Sequence, residues 1–228
     1  MISFDTIEWR SVFNPELAVD AFPYILGGLG HTLWISLLSM VIGLGLGLLL
    51  ALARLSTSRV LRIVATLYIS FMRGVPILVL LFMLYFGLPV INIQLDALTA
   101  AVAGFSLNSA AYMAEIIRSS LLSVDRGQRE AAQSLGLSRY RVFVGIILPQ
   151  AVRLAIPPLS NVLLDLVKAS SLAAMITVPE IFQRAKIVGG REFDYMTVYF
   201  VIAFIYWGIC AVIAAGQEVL ERRFARYL

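Results

Sequence analysis

Charge is what this chain has least of. Only 14% of its 228 residues are Asp, Glu, Lys or Arg, while 60% are hydrophobic. A soluble domain runs near a quarter charged, so an ordinary water-soluble globule is excluded and a polytopic membrane protein is expected. At about 20 residues per helical span, the length leaves room for roughly five or six spans. Cysteine occurs once, as Cys210 in the last apolar run, which excludes an intrachain disulfide and a redox pair. Histidine also occurs once, as His31. It has no companions of metal-ligand spacing and reads as an interfacial or packing residue. There is no G-x-x-x-x-G-K-S/T phosphate loop, no H-E-x-x-H and no G-x-S-x-G. We therefore expect no ATP hydrolysis or other catalysis by the chain itself, and no metal or cofactor held by it. The net charge of +4 is explained better by membrane topology than by a nucleic-acid partner, and none is expected. Asp5, Glu8 and Glu16 precede any long apolar run, which is unlike a cleavable signal peptide.

What is present is a series of apolar runs. Spans are expected over 24–53, 63–86, 97–122, 151–174 and 195–217, an all-α protein with five crossings. The first carries Gly43, Gly45 and Gly47, and small residues four apart let helices approach closely in lipid. The second is interrupted by Arg73-Gly74-Val75-Pro76, and the fourth is expected to break near its start at Pro157-Pro158. Residues 178–194 are polar and part helical. Of eighteen Lys and Arg residues, three lie between the first two spans, six between Arg118 and Arg153, and three in the C-terminal tail. The positive-inside rule then puts the N-terminus outside and the C-terminus in the cytoplasm. Residues 1–20 are expected to form an extracytoplasmic segment and 21–224 one transmembrane domain. A cytoplasmic loop would occupy about 123–150.

That loop is the polar interruption in the chain. Residues 128–135 have good helix propensity, Gly136 suits a left-handed C-cap, and Ser138 is placed to cap a second short helix from Arg139. Two short helices meeting at Gly136 would form a knob. Ala131 and Ala132 would let a partner pack close to its backbone, and Glu130 would offer a charge. A solvated connecting loop has the same composition.

The order of residues narrows this. Glu130-Ala131-Ala132, then three residues, Gly136 and later Ile146-x-Leu148-Pro149 resemble the EAA loop of permease subunits of binding-protein-dependent ABC importers. Phe71-Met72-Arg73-Gly74-Val75-Pro76 resembles the F-x-R-G-x-P segment of the polar amino-acid branch. Leu107 to Glu115, Pro157 to Asn161 and Val167 to Leu172 are similar to its third- and fourth-span signatures. The likeness covers about 22–223. It departs where Ala169 and Ser170 follow Lys168, the branch reading Leu-Lys-Asp-Thr-Ser-Leu, and in having Asp165. Residues 178–182 and 123–128 look most like the cystine-type members. The resemblance implies a bacterial inner-membrane protein paired with a second permease chain, identical or a sister. Two ATP-binding cassette subunits, which bind ATP and Mg, would dock on the loops at Glu130, Ala131, Ala132 and Gly136. An extracytoplasmic binding protein would deliver cystine or another polar amino acid.

Four ionisable residues fall within spans: Arg73, Glu115, Asp165 and Lys168. Such groups are costly in lipid and face a cavity or one another. Asn108, Tyr112 and Glu115 follow i, i+4, i+7 on the third span, and Asn161, Asp165 and Lys168 do so on the fourth, each set on one helix face. Arg73, Asn108 and Asn161 all count to mid-membrane at about 1.5 Å per residue. Arg73, Asn108, Tyr112, Asn161, Asp165 and Lys168 are therefore candidate substrate contacts. The guanidinium would take a carboxylate and Asp165 an ammonium. Other readings stand beside this one. The amides could tie helices together, Glu115 could pair with Arg118, and Lys168 could reach to the interface. An ion-coupled secondary carrier would use Glu115 or Asp165 as a proton relay and need no ATPase. A plain membrane anchor would need no Arg73.

Overall fold

The computed structural model describes residues 12–225. Residues 1–11, where the expected extracytoplasmic segment begins, and the basic Arg226 lie outside the described residues. The fold is all-helical among those described. α1 (Pro15–Leu26) starts at Asn14, whose side chain accepts from the backbone N–H of Glu16 and Leu17, with Pro15 in its first turn; both are helix-start chemistry. The chain turns at Gly27-Gly28, and α2 (Leu29–Leu55) follows. The expected first span, 24–53, is corrected here. Its apolarity is continuous, but glycine is a poor helix former, and the pair ends one helix and opens another.

α2 lies along α5 (Ala97–Ser123) as the most extensive helix pair of the fold. Gly43 and Gly47 make this possible. Both are buried, and a Cβ on Gly47 would stand 2.9 Å from that of Met113. At Gly43 it would meet Ser109 Oγ. Gly45 faces away, with no atom within 4 Å of where its Cβ would be. Two of the three glycines, one turn apart, form the contact.

The second span, expected over 63–86 with an interruption at Arg73-Gly74-Val75-Pro76, is two arms that meet at that interruption. α3 (Arg59–Gly74) ends at Val75, and α4 (Ile77–Phe82) continues through a π turn and a 3-10 turn to Ile91. The arms meet at 102°. Pro76 is the cause: its ring forces the preceding residue out of the helical region, and Val75 is extended at φ −95°, ψ 131°. α3 has 16 residues, about 24 Å, too short to cross roughly 30 Å of hydrocarbon alone. Among the described residues four helices are long and apolar enough to cross a membrane, or five spans if the bent pair counts as one.

Beyond α5 the short α6 (Arg126–Ser134) and α7 (Arg139–Val142) form the expected knob. Gly136 has φ +76°, the left-handed conformation anticipated for it, and Ser138 accepts from the Arg141 N–H. α7 passes through a π turn (Phe143–Ile147) into α8 (Leu148–Ala169) and a 3-10 turn to Ile176, 38 residues of continuous helix in all. Pro157 and Pro158 lie inside α8 without breaking it, against expectation. Each proline frees one carbonyl, which neighbouring helices make tolerable in lipid, and α8 packs on α2, α5 and the last helix. α9 (Ile181–Glu192) and α10 (Tyr195–Ala225) complete the chain.

Four apolar clusters among the described residues hold these helices, one of them Ile69, Met72, Leu80, Ala111 and Ala114 between α3, α4 and α5. Ile35, Leu81, Phe105, Met113 and Ile176 join α2, α4, α5 and the end of α8. Ala21, Ile25, Ile181 and Val198 join α1, α9 and α10. Leu121, Ala132, Val142, Ile147 and Ala151 fix the knob to the ends of α5 and α8.

Candidate functional site

The break at Pro76 opens the site. Without its N–H, Pro76 leaves the carbonyl of Met72 with no helical partner. Asn108 supplies one: its Nδ2 donates to Met72 O at 2.8 Å. Next to that carbonyl, in the last turn of α3, Arg73 lays its guanidinium 5.5 Å from the centre of the Tyr112 ring, within cation–π range. Tyr68 ties the same two helices by donating to Leu107 O at 2.9 Å.

A cavity of about 530 Å³ lies between α3, α4, α5 and α8. Arg73, Asn108, Tyr112, Asn161 and Asp165 all line it, so five of the six sequence-derived candidates converge there. The sixth, Lys168, is not on its wall. Its Nζ meets Asp165 Oδ1 at 2.9 Å, with both side chains more than half exposed. The ammonium expected near Asp165 is thus supplied by the chain itself, and the i, i+3 pair sits at the cavity rim. Sequence reasoning missed the apolar half of the lining, Phe105, Val162 and Leu166 among it. Alternating with the polar stripe at helical spacing, they read as ordinary core.

Glu115 also reaches the cavity, but its oxygens are occupied. Arg54 donates to Oε1 at 3.1 Å and Arg118 to Oε2 at 2.9 Å. The pairing with Arg118 was legible from spacing. Arg54 was not, being 61 residues away. This cluster closes the end of the cavity nearest the knob.

At the knob, Glu130, Ala131 and Gly136 are exposed, whereas Ala132 is buried against Leu121, Val142, Ile147 and Ala151. Ala132 therefore packs inside the chain rather than against a partner, a correction to the expected docking face. Its smallness serves the close seat of α6 on α7 and the π turn that follows it.

Glu180 is the polar residue that sequence reasoning passed over. It is fully buried. It caps α9 by accepting from the N–H groups of Phe182 and Gln183, and it accepts from Tyr206 Oη at 2.7 Å. Burial pushes its carboxyl above the usual range, against the pull of those hydrogen bonds. The available signal was an acidic residue just before the apolar period Ile181, Ala185, Val188.

Comparison with known proteins fits this architecture. Residues 43–226 match the family described as the binding-protein-dependent transport system inner membrane component. The probable amino-acid ABC transporter permease protein YckA of Bacillus subtilis (strain 168) is 60% identical, covering 98% of this chain and 99% of its own. The L-cystine transport system permease protein TcyB of the same organism is 44% identical over 93% of this chain and 92% of its own. Among solved structures, an amino acid ABC transporter with histidines matches with a TM-score of 0.86 and 35% identity, covering 90% of this chain and 96% of that one. The MetNI methionine ABC transporter, at 19% identity and a TM-score of 0.69, shares the fold.

Proposed function

The chain belongs to the inner membrane components of binding-protein-dependent transport systems, and from that membership we propose how it works as the permease subunit of an amino-acid ABC importer. The substrate is a polar amino acid, cystine first among them, and it passes through the cavity at the α3–α4 break. The observation that carries this reading is the convergence of Arg73, Asn108, Tyr112, Asn161 and Asp165 on one cavity. Arg73 takes the carboxylate. Asp165 exchanges Lys168 for the substrate ammonium, an ion pair replaced by an ion pair, so no net charge is buried in the exchange.

Two ATP-binding cassette subunits, which hold ATP and Mg, dock at Glu130, Ala131 and Gly136. A second permease chain and an extracytoplasmic binding protein complete the assembly. The knob end is cytoplasmic. Arg54 meets Arg118 there around Glu115, so the basic loops before α3 and after α5 share one end, as the positive-inside rule asks. α6 must bind the ATPase differently in its two nucleotide states, since a partner with equal affinity for both conformations shifts neither.

The test is ATP hydrolysis by the reconstituted complex, with and without loaded binding protein, across a panel of amino acids. Stimulation by one of them names the substrate, and an intact complex stimulated by none refutes the amino-acid reading. Uptake that persists without the ATPase would instead establish the secondary carrier. The occupation of both Glu115 oxygens by guanidinium groups leaves that carrier without a free proton relay at this position.

A further inference from the structure

An apolar groove of about 580 Å³ runs between α2 and α8 on the knob half of the molecule, outside the substrate cavity. Leu44, Leu48 and Leu52 line one wall at helical spacing, with Leu148, Val152 and Ile156 on the other. Leu44, Leu48 and Leu52 are between 38% and 47% exposed, so nothing among the described residues fills the groove. At one end Phe143 is shared with a second, polar hollow lined by Arg129, Gln133 and Arg139. The π turn explains the alignment. Arg139 and Phe143 are four residues apart, Phe143 and Leu148 five, and then Val152 and Ile156 follow at four. An α-helix would rotate the stripe off the face at the five-residue step, whereas one π turn takes up the extra residue. A single face therefore runs from guanidinium to hydrocarbon.

We infer that this groove is a binding site for one anionic phospholipid, its phosphate held by Arg129 and Arg139 and an acyl chain laid between α2 and α8. Neither guanidinium is ion-paired to a side chain among the described residues. Asp125 and Glu130 line a neighbouring hollow that Arg129 also lines, where Arg126 offsets one of the two carboxylates. The dimensions fit. From Leu44 to Leu52 the helix rises about 12 Å, close to the roughly 15 Å depth of one leaflet's hydrocarbon. Tyr140, 75% exposed beside Arg139, is the type of residue found at headgroup level. A zwitterionic lipid carries the same phosphate but adds a cation that the two arginines repel, so it gains less from them.

The experiment uses the full-length permease in its complex, in phosphatidylcholine nanodiscs doped with phosphatidylglycerol or phosphatidylcholine carrying a photoreactive group midway along one acyl chain. Adducts are expected on the peptides holding 44–52 and 148–156. Phosphatidylglycerol should be favoured by roughly 10- to 30-fold, the effect of two arginines at about three- to fivefold each near a charged headgroup. Arg129→Gln with Arg139→Gln should bring the two lipids level. Arg139→Lys, which keeps the charge, should preserve the preference and guards against misfolding of the double variant. Leu48→Trp should remove both adducts by filling the groove. Equal labelling by the two lipids in the unsubstituted chain overturns the inference. So does a disulfide between two permease chains through Leu48→Cys in a Cys210→Ser background, which would make the groove a subunit contact.

Discussion

Asn108 and Arg73 divide the work at the helix break. The hydrogen bond from Asn108 to the Met72 carbonyl replaces the one that Pro76 cannot make. Asn108→Ala leaves that carbonyl unpaired, at about 1 to 3 kcal/mol. Its detergent-solubilised thermal midpoint should fall, and transport with it, at unchanged expression. Arg73 is exposed to the cavity and supports no backbone. Arg73→Lys should leave the midpoint alone and raise the KM for uptake about tenfold, the loss of one charge-assisted bond where a planar fork is replaced by a point charge. A midpoint drop in Arg73→Lys, or unchanged uptake, would contradict the assignment. Glu180 follows a different rule. Its folded-state pKa lies above its ordinary value, so the protonated side chain favours the fold. The stability it contributes is present below the ordinary carboxylate range and lost as pH rises through the raised value. Thermal midpoints measured from acid towards neutral pH should decline, and Glu180→Gln should flatten that decline.

Among the helices, the pairing of α2 with α5 rests on two small residues rather than three. Gly47→Leu forces a side chain into Met113 and should destabilise by about 1 to 3 kcal/mol. Gly45→Leu points into open space and should be silent in the same melting assay. The spacing in the sequence made the glycine contact legible but could not say which glycine faced inward, because face is set by the partner. The bounds of α5, the helical piece in 178–194 and the two knob helices with their left-handed Gly136 were also legible, each having local chemistry at its ends. The 102° bend was legible as a break but not as an angle. The continuity of α8 through Pro157 and Pro158 was not legible at all: in water two prolines end a helix, and here the flanking helices decide.

For the whole molecule, the knob separates internal from external work across one peptide bond. Ala132 is buried and Ala131 exposed. Ala132→Leu should lower the thermal midpoint of the isolated permease. Ala131→Trp should leave that midpoint unchanged and weaken co-purification with the ATPase subunits. The reverse pattern would put the docking face elsewhere. Both residues sit in the same short motif, so resemblance could mark the pair but not assign the roles, which depend on Leu121 and Val142 arriving from either side. The unbroken run from Arg139 to Ile176 also has a mechanical meaning. From Arg139 to Asn161 is 22 residues, about 33 Å of shaft. Any tilt of about 10° pivoting at the knob sweeps Asn161 through about 6 Å at that length, more than the width of a water molecule. A stiff lever of this kind turns a slight nod at the membrane surface into a change of bore at its middle.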